Sequence, residues 1–254
     1  MLAIRPLRTA ACATIALIAL AAPMQGARAQ ALPSAASLLQ KHDAAVGGRA
    51  AMDKHTSMHE SATASIPAAN MTGTIETFHA KPNLFLQKTS LPQGEIVSGF
   101  DGKTAWATAG QQGAQVLDST ATAALKDQAN FFSEYYDPSR IKSAETVEIT
   151  DFEGQRCYKV KIVHNDNTEA LVYFDSATGL RAGQTLTQKM NGQDVPMTLV
   201  MSDYKEFGGV KLPTKRVQKL PMADIVMQVQ SVEFDKVDPS TFVLPDAVKA
   251  LVKP

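Results

Sequence analysis

The sequence predicts a mainly β fold with some helix (α+β), built on an antiparallel sheet of nine to eleven strands. Three observations support this prediction. From about Ser57 onward, polar and apolar residues alternate in short runs rich in Thr, Val, Phe and Tyr, which is the two-residue period of β-strands. Turn dipeptides separate these runs at regular intervals. Two segments have the apolar spacing of a helix instead.

Residues 1–29 have the features of a cleaved secretory signal. Arg5 and Arg8 give a positive start, an apolar run extends from Ala10 to Ala22, and residues 27–29 (ARA) match the small-x-small pattern of a cleavage site. The apolar run is too short to cross a bilayer, which takes about 20 residues. We therefore expect a periplasmic protein without a stable membrane span.

The remaining residues, 30–254, are expected to form one soluble domain. The chain has 25 basic and 25 acidic side chains, and no block of five like charges occurs. This balance gives no reason to expect nucleic acid as a partner. Once the signal is removed, Cys157 is the one cysteine left, so no disulfide framework is expected.

The first helical segment follows the signal. Ser37 is a candidate N-cap for a helix through Leu38 and Val46, and Gly47-Gly48 supplies its end. A further short helical turn is predicted over residues 50–54.

The strands that follow are separated by residues that favour tight hairpins. Asp101-Gly102, Glu153-Gly154 and Asn191-Gly192 each lie between two alternating runs. Such pairs suit a type I′ turn, whose two central residues both need positive φ. Connections this short join antiparallel strands, because a parallel crossover needs a dozen or more residues. The prediction is a long antiparallel meander.

The second helical segment interrupts the meander at Ser119 to Tyr136. Ser119 is its candidate N-cap, and an apolar stripe recurs at helical spacing up to Tyr136. Its end is rich in aromatic residues, two of which, Phe131 and Tyr135, lie off the main stripe. Either the helix packs both on the sheet and under a loop, or its aromatic end is a lid over an apolar cavity. The four aromatic residues concerned are Phe131, Phe132, Tyr135 and Tyr136.

Methionines are concentrated in the C-terminal strands. Met190, Met197, Met201, Met222 and Met227 are five of the eight that follow the signal. Met197, Leu199 and Met201 alternate along one predicted strand, and Met227 lies on another. Methionine is a flexible apolar residue that fills core gaps and also recurs on surfaces that accept varied apolar ligands. Both interpretations remain open from the sequence.

No catalytic motif is found, and no catalytic residue, metal site or cofactor is predicted. The sequence has no nucleophile elbow, phosphate-binding glycine loop or zinc-protease motif. His55 and His59 are four residues apart, but a zinc site needs at least one more ligand, and this region changes from helix to strand. We therefore do not expect an enzyme.

Eight short motifs, taken in order, resemble the outer-membrane lipoprotein-sorting (LolA/LolB-like) superfamily of exported proteins. They are LLQKH, VGG, KPN, GFDGKTAW, YFDSATGL, DYK, GVKLP and FVLP, at residues 38–42, 46–48, 81–83, 99–106, 173–180, 203–205, 209–213 and 242–245. Together they extend over nearly the whole chain after the signal. Each is a turn with adjoining strand ends, so it is their shared order that carries the resemblance.

The resemblance implies a curved, unclosed antiparallel β-barrel with helices covering the concave face and an apolar ligand inside. It also implies a periplasmic carrier or binding protein for a lipid or an acylated lipoprotein. The alternative is an envelope sensor or interaction domain of the same fold that binds a protein partner without transport. Trp106, the only tryptophan, is expected at the mouth of the cavity or, failing that, in the core. The candidate ligand-binding residues are Trp106, Phe131, Phe132, Tyr135, Tyr136, Met197, Leu199, Met201 and Met227.

Overall fold

Thirteen strands form one antiparallel sheet in the computed structural model, which describes residues 31–110, 113–133, 135–190 and 193–252. Two predicted features, the signal at residues 1–29 and the Asn191-Gly192 turn, lie outside the described residues. The strands are β1 Ser57–Ile66, β2 Met71–Ala80, β3 Leu84–Leu91, β4 Gly94–Phe100, β5 Ala105–Ala109, β6 Gly113–Val116, β7 Ile141–Phe152, β8 Gln155–His164, β9 Glu169–Asp175, β10 Arg181–Met190, β11 Gln193–Phe207, β12 Val210–Lys219 and β13 Asp224–Phe234. The sheet therefore has more strands than the nine to eleven predicted.

The order of the strands joins two meanders side by side. It runs from β6 back to β1, then from β13 back to β7, so that β1 pairs with β13 and the strands β6 and β7 form the two edges. The sheet curves but does not close. The predicted fold class, an unclosed antiparallel β-barrel with helices on its concave face, is confirmed.

The predicted hairpin at Glu153-Gly154 is found. Both residues have positive φ, 54° and 80°, and Phe152 pairs directly with Gln155 across them, as a type I′ turn requires. The Asp101-Gly102 turn is different, since four residues separate β4 from β5. There the Asp101 carboxylate accepts hydrogen bonds from the N–H groups of Lys103 and Thr104, at 2.9 and 2.6 Å.

Four helices accompany the sheet in the described part of the chain: α1 Ala35–Ala45, α2 Arg49–Asp53, α3 Ser119–Gln128 and α4 Asp246–Lys249. Helix α1 begins earlier than predicted, because Ser34 rather than Ser37 is its N-cap and accepts a hydrogen bond from the Ser37 N–H at 3.2 Å. None of the described helices is long and apolar enough to cross a membrane.

Helix α3 is shorter than predicted. Asp118, not Ser119, caps its start and accepts from the Ala121 N–H at 2.8 Å. The prediction that the helix continues to Tyr136 is wrong. Instead, the Asn130 side-chain oxygen Oδ1 accepts a hydrogen bond from the Phe132 N–H at 3.1 Å. Asn side chains disrupt helices in this way, because they compete with the helical backbone for its N–H groups. Phe131, Phe132, Tyr135 and Tyr136 therefore follow the helix in an irregular connection, which we call the aromatic segment.

Helices α1 to α3 and the aromatic segment all cover the concave face. Leu38 of α1 packs on Val160 and Phe174 over β8 and β9, and Leu125 of α3 packs on Phe85 and Phe100 over β3 and β4. The strand register puts these two groups of residues on the same face. The aromatic segment lies between them, in a cluster of its own.

The C-terminal segment covers the convex face. Phe242 and Val248 pack on Leu86 and Trp106, which alternate with the concave residues Phe85 and Ala105 of the same strands. A second convex cluster lies over β7 to β10, where the Phe152 ring stacks on Tyr173 with 4.0 Å between centroids. Both faces of this sheet are thus apolar, and both have their own cover.

We predict that Phe131 is essential for stability. Phe131 is 3% exposed and packs with Val46, Met52 and Leu212. Phe131→Ala should lower the free energy of unfolding by about 3 to 5 kcal/mol, as expected for a buried aromatic residue. The matched control is Phe132→Ala, since the Phe132 side chain is only half-buried. Urea unfolding measures both, and equal losses for the two variants would contradict this packing.

We also predict that the space beside Trp106 is full. A Cβ added at Gly99 would lie 2.6 Å from the Trp106 ring, so Gly99→Ala should cost about 1 to 3 kcal/mol by overpacking. The same variant should move the tryptophan emission to longer wavelength. Ser98→Ala, one residue earlier and on the other face, is the control. Unchanged stability and emission in Gly99→Ala would show that Trp106 is loosely packed.

Candidate functional site on the concave face

Four of the predicted ligand-binding residues lie together on the concave face. Met201 pairs with Arg216 of β12, and Arg216 pairs with Met227 of β13. Leu199 and Met197 follow on the same face of β11. Met197, Leu199 and Met227 are half-buried, and Met201 is 6% exposed. The register therefore places the predicted methionine face where a ligand between the strands and the helices would contact it.

Strands from the other meander continue this apolar surface. Ile66 pairs with Met71 at the ends of β1 and β2, and both are half-buried. Ile225 of β13 lies beside them on the same face. We call this surface the open groove, because helices α1 and α3 cover other parts of the concave face. Its residues are Ile66, Met71, Leu186, Val195, Met197, Leu199, Ile225 and Met227.

The aromatic segment closes one end of the concave space. Phe131 and Tyr135 are 3% and 5% exposed and belong to the packed cluster described above, so the structure does not place them on the wall of an open cavity. Phe132 is half-buried between two cations, with Arg49 Cζ 4.4 Å and Lys81 Nζ 5.3 Å from its ring centroid. Tyr136 packs edge-on against Phe174, 5.8 Å between centroids.

Of the two positions predicted for Trp106, the structure has the second, the core. Trp106 is 3% exposed beneath Phe242 and Val248 on the convex face, not at the mouth of the concave cavity. Of the five aromatic residues in the predicted site, Trp106 is therefore separated from the other four by the sheet. A ligand in the open groove would not contact it.

Three polar residues outside the predicted site lie on the concave face, on strands β1, β2 and β12. The Arg216 guanidinium donates from Nη1 and Nη2 to the two carboxylate oxygens of Glu60, at 2.7 and 2.8 Å. The side chains are 19% and 6% exposed. His79 of β2, 8% exposed, lies on the same face with its ring 5.1 Å from that of Phe85. We call Glu60, His79 and Arg216 the interior polar cluster.

Burial, with a smaller effect from the positive charge of Arg216, lowers the pKa of His79 to about 4. The imidazole is consequently neutral at pH 7. Its Nδ1 atom is enclosed and has no hydrogen-bond partner among the described residues. A buried polar atom without a partner is unusual in a folded protein.

The remaining candidate groups serve other contacts. His55 Nδ1 donates to Asp235 at 2.8 Å, whereas His59 pairs with Glu76 and stacks on Phe78 on the convex face. The spacing of the two histidines therefore does not bring them together. Cys157 is fully buried, and burial raises the pKa of its thiol to about 11, so it is not a reactive thiolate.

Two surface grooves lie on the convex face of the C-terminal meander. One, of about 680 Å³, is lined mainly by convex residues such as Lys161, Thr185 and Lys219, and also by Leu186 and Met197 of the open groove. The other, of about 260 Å³, lies beside the β7–β8 turn. Glu153 in that turn forms an ion pair with Lys219 at 2.7 Å, which holds the turn against the convex side of β12.

His79 should make stability depend on pH. An exposed histidine has a pKa near 6.5, so below about pH 6.5 the unfolded chain binds a proton that the native imidazole does not. Native stability should then fall by roughly 3 kcal/mol between about pH 6.5 and pH 4. Urea unfolding across this range should give a shallower pH dependence for His79→Phe than for the wild type. Equal slopes would contradict the neutral, buried state of His79.

No protein-family model and no curated protein matches this sequence. Solved structures do match it. A LolA superfamily protein from Nitrosomonas europaea superimposes with a TM-score of 0.56 at 11% identity, over 84% of this chain and 99% of that one. A DUF1329 family protein from Desulfovibrio piger gives 0.55 at 10% identity, over 82% and 97%.

A third structure is described as an outer membrane lipoprotein-sorting protein domain, from Vibrio parahaemolyticus. It gives a TM-score of 0.53 at 10% identity, over 81% of this chain and 94% of that one. At such identities, similarity between structures shows the fold alone. The chain therefore has the fold of the LolA-like, outer-membrane lipoprotein-sorting proteins that its sequence motifs resemble.

Proposed function

We propose that this protein is a periplasmic binding or carrier protein that holds a lipid, or the acyl chains of a lipoprotein, in the open groove. The observation that carries this proposal is the half-buried apolar surface on the concave face. It combines residues of both meanders, among them Met71, Met197, Leu199 and Met227. An apolar surface of this kind, left without cover by the described residues, is typical of a ligand site.

The open-groove residues are less buried than the concave residues that the helices cover, which supports this interpretation. Val160 and Phe174 are fully buried where α1 covers the sheet, and Phe100 is 3% exposed near α3. Met227 and Leu199 are on the same face yet half-buried. Flexible methionines let such a surface adapt to acyl chains that differ in length and unsaturation.

The fold supports the same class of function. The Vibrio parahaemolyticus domain with this fold is described as a lipoprotein-sorting protein. We extend a lipid or lipoprotein ligand to this chain as part of the proposal. The periplasmic location rests on the signal predicted at residues 1–29. We assign the protein binding rather than catalysis.

We predict that Met227→Glu removes bound lipid. Arg216, directly opposite Met227, already pairs with Glu60, so a second carboxylate at this position adds an uncompensated negative charge. Burying that charge against acyl chains is costly, and lipid that co-purifies with the protein should fall by at least about tenfold. In an empty groove the same carboxylate is hydrated, so thermal unfolding should change little. Met222→Glu is the matched control, because Met222 is 95% exposed. Mass spectrometry of organic extracts from protein purified from the periplasm measures lipid per protein.

Two results would contradict the proposal. One is a wild-type protein that carries no lipid and takes none up from vesicles. The other is equal lipid content in Met227→Glu and Met222→Glu. If the lipid-free protein instead retains one particular envelope protein, the interaction-domain alternative replaces the carrier function.

A further inference from the structure

The interior polar cluster lies where the open groove ends and the helical cover begins. On β2, His79 pairs with Met58 and, on the other side, with Phe85, which belongs to the cluster under α3. Two residues further on, Thr77 pairs with Glu60. From there the same face of β1 continues through Ala62 to Ile66 in the open groove. Ala62 itself is 2% exposed, so a ligand that extends from the groove past Ala62 would reach the cluster with one end.

His79 offers a hydrogen-bond donor at this position. A neutral imidazole carries one N–H and one lone pair. Nδ1 is enclosed without a partner among the described residues, and an orphaned buried N–H is rarer than an orphaned acceptor. We therefore assign the proton to Nε2, which is not among the enclosed atoms. Its N–H is available to a ligand that offers an acceptor.

The net charge of the cluster restricts what that acceptor can be. Both Nη atoms of Arg216 donate to Glu60 in a two-point pair, so the cation is already neutralised. A phosphate or carboxylate would lose its hydration on entering and would face the Glu60 charge. An uncharged oxygen loses less hydration and still accepts a hydrogen bond.

We propose that Glu60, His79 and Arg216 form a head-group subsite that selects the ester or hydroxyl oxygen of an uncharged acylglycerol over an anionic lipid. This inference rests on the proposed function, since the acyl chain occupies the open groove. His79 donates to the head group, and the Glu60–Arg216 pair keeps the subsite electrically neutral.

The test is a competition with three probes that share an 18-carbon chain. Lipid-free protein is exposed at pH 7.5 to equal amounts of 1-oleoylglycerol, oleate and 1-octadecene in neutral vesicles, and the bound lipids are quantified by mass spectrometry. The wild type should prefer 1-oleoylglycerol about fivefold or more over each of the others, the contribution of about one hydrogen bond.

Variants distinguish the roles within the cluster. His79→Phe should remove the preference for 1-oleoylglycerol over 1-octadecene, and His79→Gln, which keeps a side-chain N–H near the position of Nε2, should restore part of it. Glu60→Gln removes the carboxylate with which Arg216 pairs and should shift the preference toward oleate. Glu76→Gln is the control, because Glu76 pairs with His59 on the convex face of the neighbouring strand.

The outcomes separate this inference from the proposed function. If no probe binds, both fail. If all three probes bind equally, or if His79→Phe keeps the wild-type preference, the head-group subsite is wrong and the apolar groove stands. If Glu60→Gln does not fold, the comparison of His79→Phe with His79→Gln decides the inference.

Discussion

Among the described residues, the pairing of β1 with β13 is the one ladder that joins the two meanders. Strands β1 to β6 form one meander and β7 to β13 the other. We call the β1–β13 pairing the seam. Its register runs from Met58 opposite Phe234 to Ser65 opposite Val226, with one irregularity between Ser61 and Ala62. The concave face exists as one continuous surface because the seam holds the two meanders edge to edge.

Polar contacts fix the seam at two levels. At one end, the Asp235 carboxylate accepts hydrogen bonds from His55, at 2.8 Å, and from the Thr56 N–H, at 2.7 Å, and these bonds lower the pKa of Asp235 to about 2. Further along, Arg216 of β12 reaches past β13 to Glu60 of β1. Replacing one partner of such a buried pair is costly, whereas the pair as a whole adds little stability over apolar packing. A role in ligand selection would explain why charges lie here at all.

Local sequence signals predicted the parts of this fold that local physics determines. Positive φ at Glu153 and Gly154 is a property of the turn itself, and alternation alone puts Met197, Leu199 and Met201 on one face. The end of α3 was missed because the apolar spacing continues to Tyr136, although the Asn130 side chain ends the helix. The sequence left two positions open for Trp106, because alternation separates the two faces of a strand without saying which later segment covers each. That cover comes from Phe242 and Val248, far along the chain.

The interior polar cluster was not predictable for a related reason. Glu60, His79 and Arg216 each occupy a polar position on a different strand, where an ordinary solvent-facing residue gives the same pattern. Only the register of the seam brings Arg216 within hydrogen-bond distance of Glu60. Long-range pairing of this kind depends on the whole set of strands, so no short window of sequence contains it.

The two faces of the sheet differ in how completely the chain covers them, and the proposed ligand site is based on this difference. On the convex face, the chain covers Leu86 and Trp106 with its own C-terminal segment. On the concave face, α1 covers β8 and β9, α3 covers β3 and β4, and the aromatic segment fills the end between them. The open groove, over β10 to β13 and the ends of β1 and β2, has no such cover among the described residues. An acyl chain there would complete the concave side as Phe242 and Val248 complete the convex one.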